Sequence, residues 1–147
     1  MCIRDRAITD YDISFNLIKE LLPLIVSLSN HRLTDHANVF PNKDGGMKGI
    51  ETVKEFYELP DGLKMDKLLD YPEIVNFLAG GFNTKIRNGI GHRRCSLVND
   101  TQNVQFYYKQ NNLDEHYDVQ LVDLCYLTII NLLHIMEFVL LIEKLKR

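Results

Sequence analysis

The sequence predicts an all-α fold, a bundle of about four to five helices with a small β-hairpin before a long C-terminal helix. Three observations carry this. Apolar residues over 8–32 recur at steps of three and four. The stretch 95–108 changes to short apolar runs around a polar turn. Residues 114–146 then read as one unbroken, strongly apolar helix. The first and last patterns are helical periods and the middle one is that of paired strands. At 147 residues the chain is long enough for one domain with a core of its own.

Taken in order, the first helix carries Ile8, Tyr11, Phe15, Ile18, Leu22 and Ile25 as one stripe, and Pro23 should kink it or end its first half. Residues 33–49, with Pro41 and Gly45-Gly46, are turn chemistry. A short helix over 50–59 uses Val53, Phe56 and Tyr57, and "LPDGL" turns the chain. Asp70 and Glu73 have capping-box spacing around Pro72, so a helix starts near Tyr71 and buries Ile74, Phe77 and Leu78. Gly80-Gly81 interrupts it, and Asn83 or Thr84 caps the next segment. "CSLV" and "VQFYY" flank "NDTQN" as a hairpin. In the long last helix Asp114, Glu115 and Asp118 fall in the first turns and Lys144, Lys146 and Arg147 near the end, matching the macrodipole. Its middle is nearly long enough for a bilayer, but Asn131, His134 and Glu137 form a polar stripe that is costly in lipid. The expectation is a central helix buried by its own bundle and by a second subunit, with no membrane contact. His134 and Glu137 are read as a polar pair satisfied inside that dimer core.

The formal charge of −3 gives no global basic field, so any polyanion must be met by a local cluster. Three widely spaced cysteines support neither a disulfide framework nor a zinc ribbon, and a reducing cytoplasmic setting is expected. His31 and His36 fit no common zinc spacing, and no metal or other cofactor is expected. The first six residues, "MCIRDR", look like the translation of a transposon-end sequencing adapter. They are therefore set aside as a scar, leaving a single domain over 7–147 that can be the C-terminal part of a longer protein.

The densest positive charge lies in "KIRNGIGHRR", residues 85–94, where two glycines interrupt a helical stretch. Asn88 and His92, four apart, share a face, so the amide can orient the imidazole. Arg87 lies about 140° from His92 on the helical period, yet its side chain is long enough to curl toward the same end. Lys85, Arg93 and Arg94 flank them. A titratable base beside a fixed planar cation suits metal-free RNA cleavage, with the base helping the 2′-OH attack the adjacent phosphorus. Cleavage also needs an acid, which a two-fold dimer would supply as a second histidine, and Gly89 and Gly91 would let the symmetry mate come close. Tyr107 and Tyr108 are expected to pack in the hairpin rather than stack on bases.

"RNGIGH" resembles the motif of the HEPN superfamily: an arginine, a polar residue, then a histidine after four intervening residues in total. The hairpin and long last helix also look like a variant common there, so the resemblance covers about 70–147 by pattern. It implies a dimeric helical bundle with the motif at the interface, and in many members a metal-independent ribonuclease of antiphage defence, toxin–antitoxin pairs or RNA processing. By motif match Arg87 would stabilise the phosphate, His92 would be the general acid/base and Asn88 its orienter, with Lys85, Arg93 and Arg94 on flanking phosphates. Other members bind nucleotides or partner proteins, such as an antitoxin or a nucleotidyltransferase, without cutting RNA. Glycine at both small positions departs from the more usual alanines.

Overall fold

The computed structural model describes residues 2–34, 37, 52–68, 72–78, 81–98, 102–110 and 113–145. Its elements in chain order are α1 (Ile3–Thr34), α2 (Val53–Glu58), α3 (Asp61–Leu68), α4 (Pro72–Leu78), α5 (Thr84–Gly91), β1 (Cys95–Val98), β2 (Asn103–Gln110), β3 (Leu113–Gln120) and α6 (Leu121–Leu145). Most of the expected 33–49 loop with His36, the Asp70 cap, Gly80, Lys146 and Arg147 lie outside the described residues.

The all-α expectation is overturned by the sheet. Three antiparallel strands in the order β1-β2-β3 replace the small hairpin. Residues 113–120, of which 114–120 were expected as the first turns of the last helix, pair along their length with β2, Phe106 facing Tyr117 and Val104 facing Val119. The reason is a period of two. Val119 is buried and Glu115 and Tyr117 half-buried, while Asp114, His116 and Asp118 are exposed. Those acids therefore sit on a strand, and α6 starts at Leu121. "LPDGL" is likewise only in part a turn, because α3 begins at Asp61.

The chain forms two compact units, Met1–Ile18 with Gly80–Arg147, and Lys19–Ala79. In the second, Leu22, Val26, Phe56, Leu68, Ile74 and Leu78 are buried. Val26, not Ile25, continues the α1 stripe, and Pro23 lies inside the helix without ending it. Thr52 caps α2 by accepting from the Glu55 N–H at 3.3 Å.

In the first unit, Phe15 stacks on Phe82 at 4.0 Å between centroids. Ile86, Val104, Phe106, Val119 and Leu124 are buried in the same unit. Each such side chain removed from water contributes about 1.5–3 kcal/mol. The face of α6 bearing Leu124, Thr128, Asn131 and Phe138 is buried, and the Asn131 amide donates to Ser14 Oγ at 3.1 Å and to the Gly81 carbonyl at 3.2 Å. Its opposite face is exposed among the described residues. By length and composition Leu121–Lys144 suffices to cross a membrane.

Candidate nucleic-acid interface

The start of α5 is fixed from both sides. Asn83 caps it, its side-chain oxygen accepting from the N–H groups of Lys85 at 3.0 Å and Ile86 at 3.3 Å. The buried Tyr11 hydroxyl accepts from the Asn83 N–H at 3.1 Å and donates to the Gly81 carbonyl at 2.9 Å. Burial pushes the Tyr11 phenol well above its ordinary pKa. Gly81 is required here, because a Cβ at this position would collide with the Asn131 side chain.

The other end is a Schellman turn. The Arg93 N–H bonds to the Ile90 carbonyl at 2.9 Å and the Arg94 N–H to the Gly89 carbonyl at 2.8 Å. Arg93 takes the left-handed φ of 53° that such a turn requires, a conformation that costs a non-glycine residue about 1–2 kcal/mol. His92 is thereby held as the exposed helix C-cap, its N–H bonded to the Asn88 carbonyl at 3.1 Å.

The two glycines of the motif have different neighbours inside the chain. A Cβ on Gly89 would stand 2.7 Å from Phe106 Cβ and 3.1 Å from its Cα, so Gly89 lets α5 lie directly on β2. A Cβ on Gly91 would stand 2.6 Å from Arg87 Nη1. The Arg87 side chain thus runs toward the C-terminal end of α5, as expected from its length, and its Nε is shielded from solvent. The reading of Gly89 as room for a symmetry mate is corrected, since Phe106 already occupies that space.

Asn88 and His92 line one pocket of about 290 Å³ together with Arg94, Tyr107, Tyr108 and Lys109. Arg87 is not among its walls. A neighbouring depression of about 440 Å³ shares Arg94, Tyr107 and Lys109 and adds Arg93, Cys95 and Asp114. Burial pushes the Cys95 thiol up, which disfavours a thiolate there. Lys85 stands apart from both, its ammonium over the rings of Tyr108 at 5.2 Å and Tyr117 at 5.9 Å. Tyr107 donates to Gln105 Oε1 at 2.8 Å, and Tyr108 donates to Glu115 Oε2 at 3.0 Å. Both rings are half-buried on β2 and still reach the pocket, so packing and ligand contact are not alternatives here.

Lys109 was not legible as a site residue. It lies 15 positions beyond Arg94, and only the antiparallel return of β2 beside β1 brings it back to the motif. Among the described residues no group of three or more His, Cys, Asp or Glu side chains is placed to hold a metal ion. The set can instead hold an oxyanion between Arg94 and Lys109, offer two rings to a base and present an imidazole to a hydroxyl. No protein-family model, curated protein or solved structure matches the chain.

Proposed function

We propose that this protein is a metal-independent endoribonuclease of HEPN type. The observation that supports it most is His92, an exposed imidazole at a fixed helix end, in a pocket walled by Arg94, Lys109 and two tyrosines. His92 takes the proton of a ribose 2′-OH. That oxygen attacks the adjacent phosphorus, the bond to the 5′-oxygen breaks, and a 2′,3′-cyclic phosphate and a 5′-hydroxyl result. Arg94 and Lys109 hold the non-bridging oxygens, while Arg87, laid along Gly91 toward the same helix end, adds positive charge. The leaving oxygen takes its proton from the His92 of a second copy, in a composite site. RNA is the substrate because DNA lacks the attacking hydroxyl.

Purified protein should cleave RNA in EDTA, leave cyclic-phosphate ends and spare DNA of the same sequence. His92→Ala should lower the rate by about 10²–10⁴-fold, the usual worth of a general acid/base. Arg87→Ala should also lose activity. Cleavage that persists in both variants removes the assigned roles.

A second reading rests on the pocket itself, whose volume and pair of rings suit one nucleotide held without reaction. Strong thermal stabilisation by a mononucleotide, lost in Tyr108→Ala, with RNA left intact, selects it.

A further inference from the structure

We infer that the depression beside the His92 pocket is a base subsite that selects guanine in single-stranded RNA, through Asp114 and Lys109. The inference rests on the reading of the His92 pocket as a ribonuclease site. The depression of about 440 Å³ shares Arg94, Tyr107 and Lys109 with that pocket and adds Asp114. Of the described residues that line either depression, Asp114 alone carries a carboxylate. A carboxylate among cations weakens the hold on phosphate, so its use lies with another part of the nucleotide.

Register sets its neighbours. Asp114 lies opposite Lys109 across the β2–β3 pairing, so the two side chains leave the same face of the sheet with Cβ atoms about 4.5–5.5 Å apart. Both are exposed. Tyr107, two positions before Lys109 on β2, belongs to that face as well. Its hydroxyl donates to Gln105 Oε1 at 2.8 Å and lies 3.2 Å from Ser96 Oγ, so the ring is held before any ligand arrives. One face thus offers a fixed ring, a cation and a carboxylate side by side.

Base chemistry selects the occupant. The Watson–Crick edge of guanine presents an acceptor, O6, and then two donors, N1–H and N2–H. With the base against Tyr107, Lys109 donates to O6 and the two oxygens of Asp114 accept from N1–H and N2–H. The ammonium has three donors, so Lys109 can hold a phosphate oxygen in the His92 pocket at the same time. Adenine presents the reverse pattern, an amino group toward Lys109 and the acceptor N1 toward the carboxylate, and cytosine fails in the same way. Uracil matches at O4 and N3–H but turns O2 toward Asp114. A base read on this edge must be unpaired, which makes the strand single.

Fluorescence anisotropy with labelled, non-cleavable 2′-O-methyl strands reads this subsite without any cleavage. An oligocytidine carrying one guanine should bind about 5–150-fold more tightly than the same strand carrying adenine, the usual worth of one bidentate base contact. Inosine, which lacks the N2 amino group, should fall between them and needs no protein variant. Asp114→Asn should bind every strand at least as tightly, having lost a negative charge, and should bring the guanine-to-adenine ratio close to one. On cleavable RNA, wild type should cut at one fixed offset from guanine and Asp114→Asn without that preference. A guanine preference in binding with no cleavage removes the ribonuclease reading and supports the subsite. Cleavage without guanine preference keeps that reading and overturns the subsite. Equal affinities for the three strands overturn it too, as does a ratio that survives Asp114→Asn, which would leave Asp114 as a cross-strand partner of Lys109 and nothing more. Guanosine 5′-monophosphate that binds where the guanine strand does not overturns RNA as the source of the base.

Discussion

Gly89 and Gly91 stand two apart in one motif and answer to different neighbours, which makes them separable by experiment. A methyl group at position 89 meets the backbone of β2 at Phe106, and backbone cannot step aside. Gly89→Ala should therefore destabilise the protein by about 1–3 kcal/mol, the usual cost of overpacking. At position 91 the neighbour is the free end of a flexible guanidinium. Gly91→Ala should keep the thermal midpoint or raise it, since alanine gains up to about 1 kcal/mol of helix propensity. Differential scanning calorimetry decides, and equal losses in the two variants would remove the distinction. Two interrupting glycines could be read from the sequence as a sign of close approach. What approaches could not, because Phe106 lies 17 residues downstream and arrives only through packing.

The elements differ in how much of them could be read. A cap at Asn83 or Thr84 follows from local chemistry, and the structure places it at Asn83. Its second support, Tyr11, lies 72 positions earlier, where only its place on an apolar stripe was visible. β3 was missed for the opposite reason: "LDEHYDVQ" holds too few apolar residues to announce a strand, and its acids imitate a helix start. Its partner β2 supplies what it lacks. Tyr11→Phe tests the support of α5. It leaves the Asn83 N–H and the Gly81 carbonyl without the hydroxyl but still bonded to each other, with Asn131 also on the carbonyl, at a cost of about 0.5–1.5 kcal/mol. It should also change the alkaline limb of stability. The phenol titrates higher folded than unfolded, so its contribution is intact below the ordinary tyrosine pKa near ~10 and falls by about 1.4 kcal/mol per pH unit above it. Urea titrations between neutral pH and the alkaline range should show a shallower fall in Tyr11→Phe than in wild type. Parallel curves would mean that the phenol is not what alkali attacks.

For the whole molecule, the argument turns on where charge sits rather than on its total. A chain of net −3 repels RNA on average, so on the ribonuclease reading the strand is held by Arg93, Arg94 and Lys109, which line two adjoining depressions. The arginines were legible as the densest cationic run. Lys109 comes to the motif through the pairing of β1 with β2, the hairpin the sequence predicted without naming Lys109, and the capture of Lys85 depends in part on Tyr117 of β3, which was expected as helix. On the ribonuclease reading, about three phosphate contacts give a log–log salt slope near −2 for single-stranded RNA, at roughly −0.7 per contact. Arg94→Ala and Lys109→Ala should each flatten that slope by about 0.7. Lys85→Ala should do less, because its ammonium lies over rings rather than along the depressions. The exposed Lys54, in the other unit, serves as control and should leave the slope unchanged. Fluorescence anisotropy with a labelled, non-cleavable 2′-O-methyl strand measures all four. If removing Arg94 and Lys109 together leaves the slope intact, the anion is held elsewhere, and His92 would no longer stand beside it.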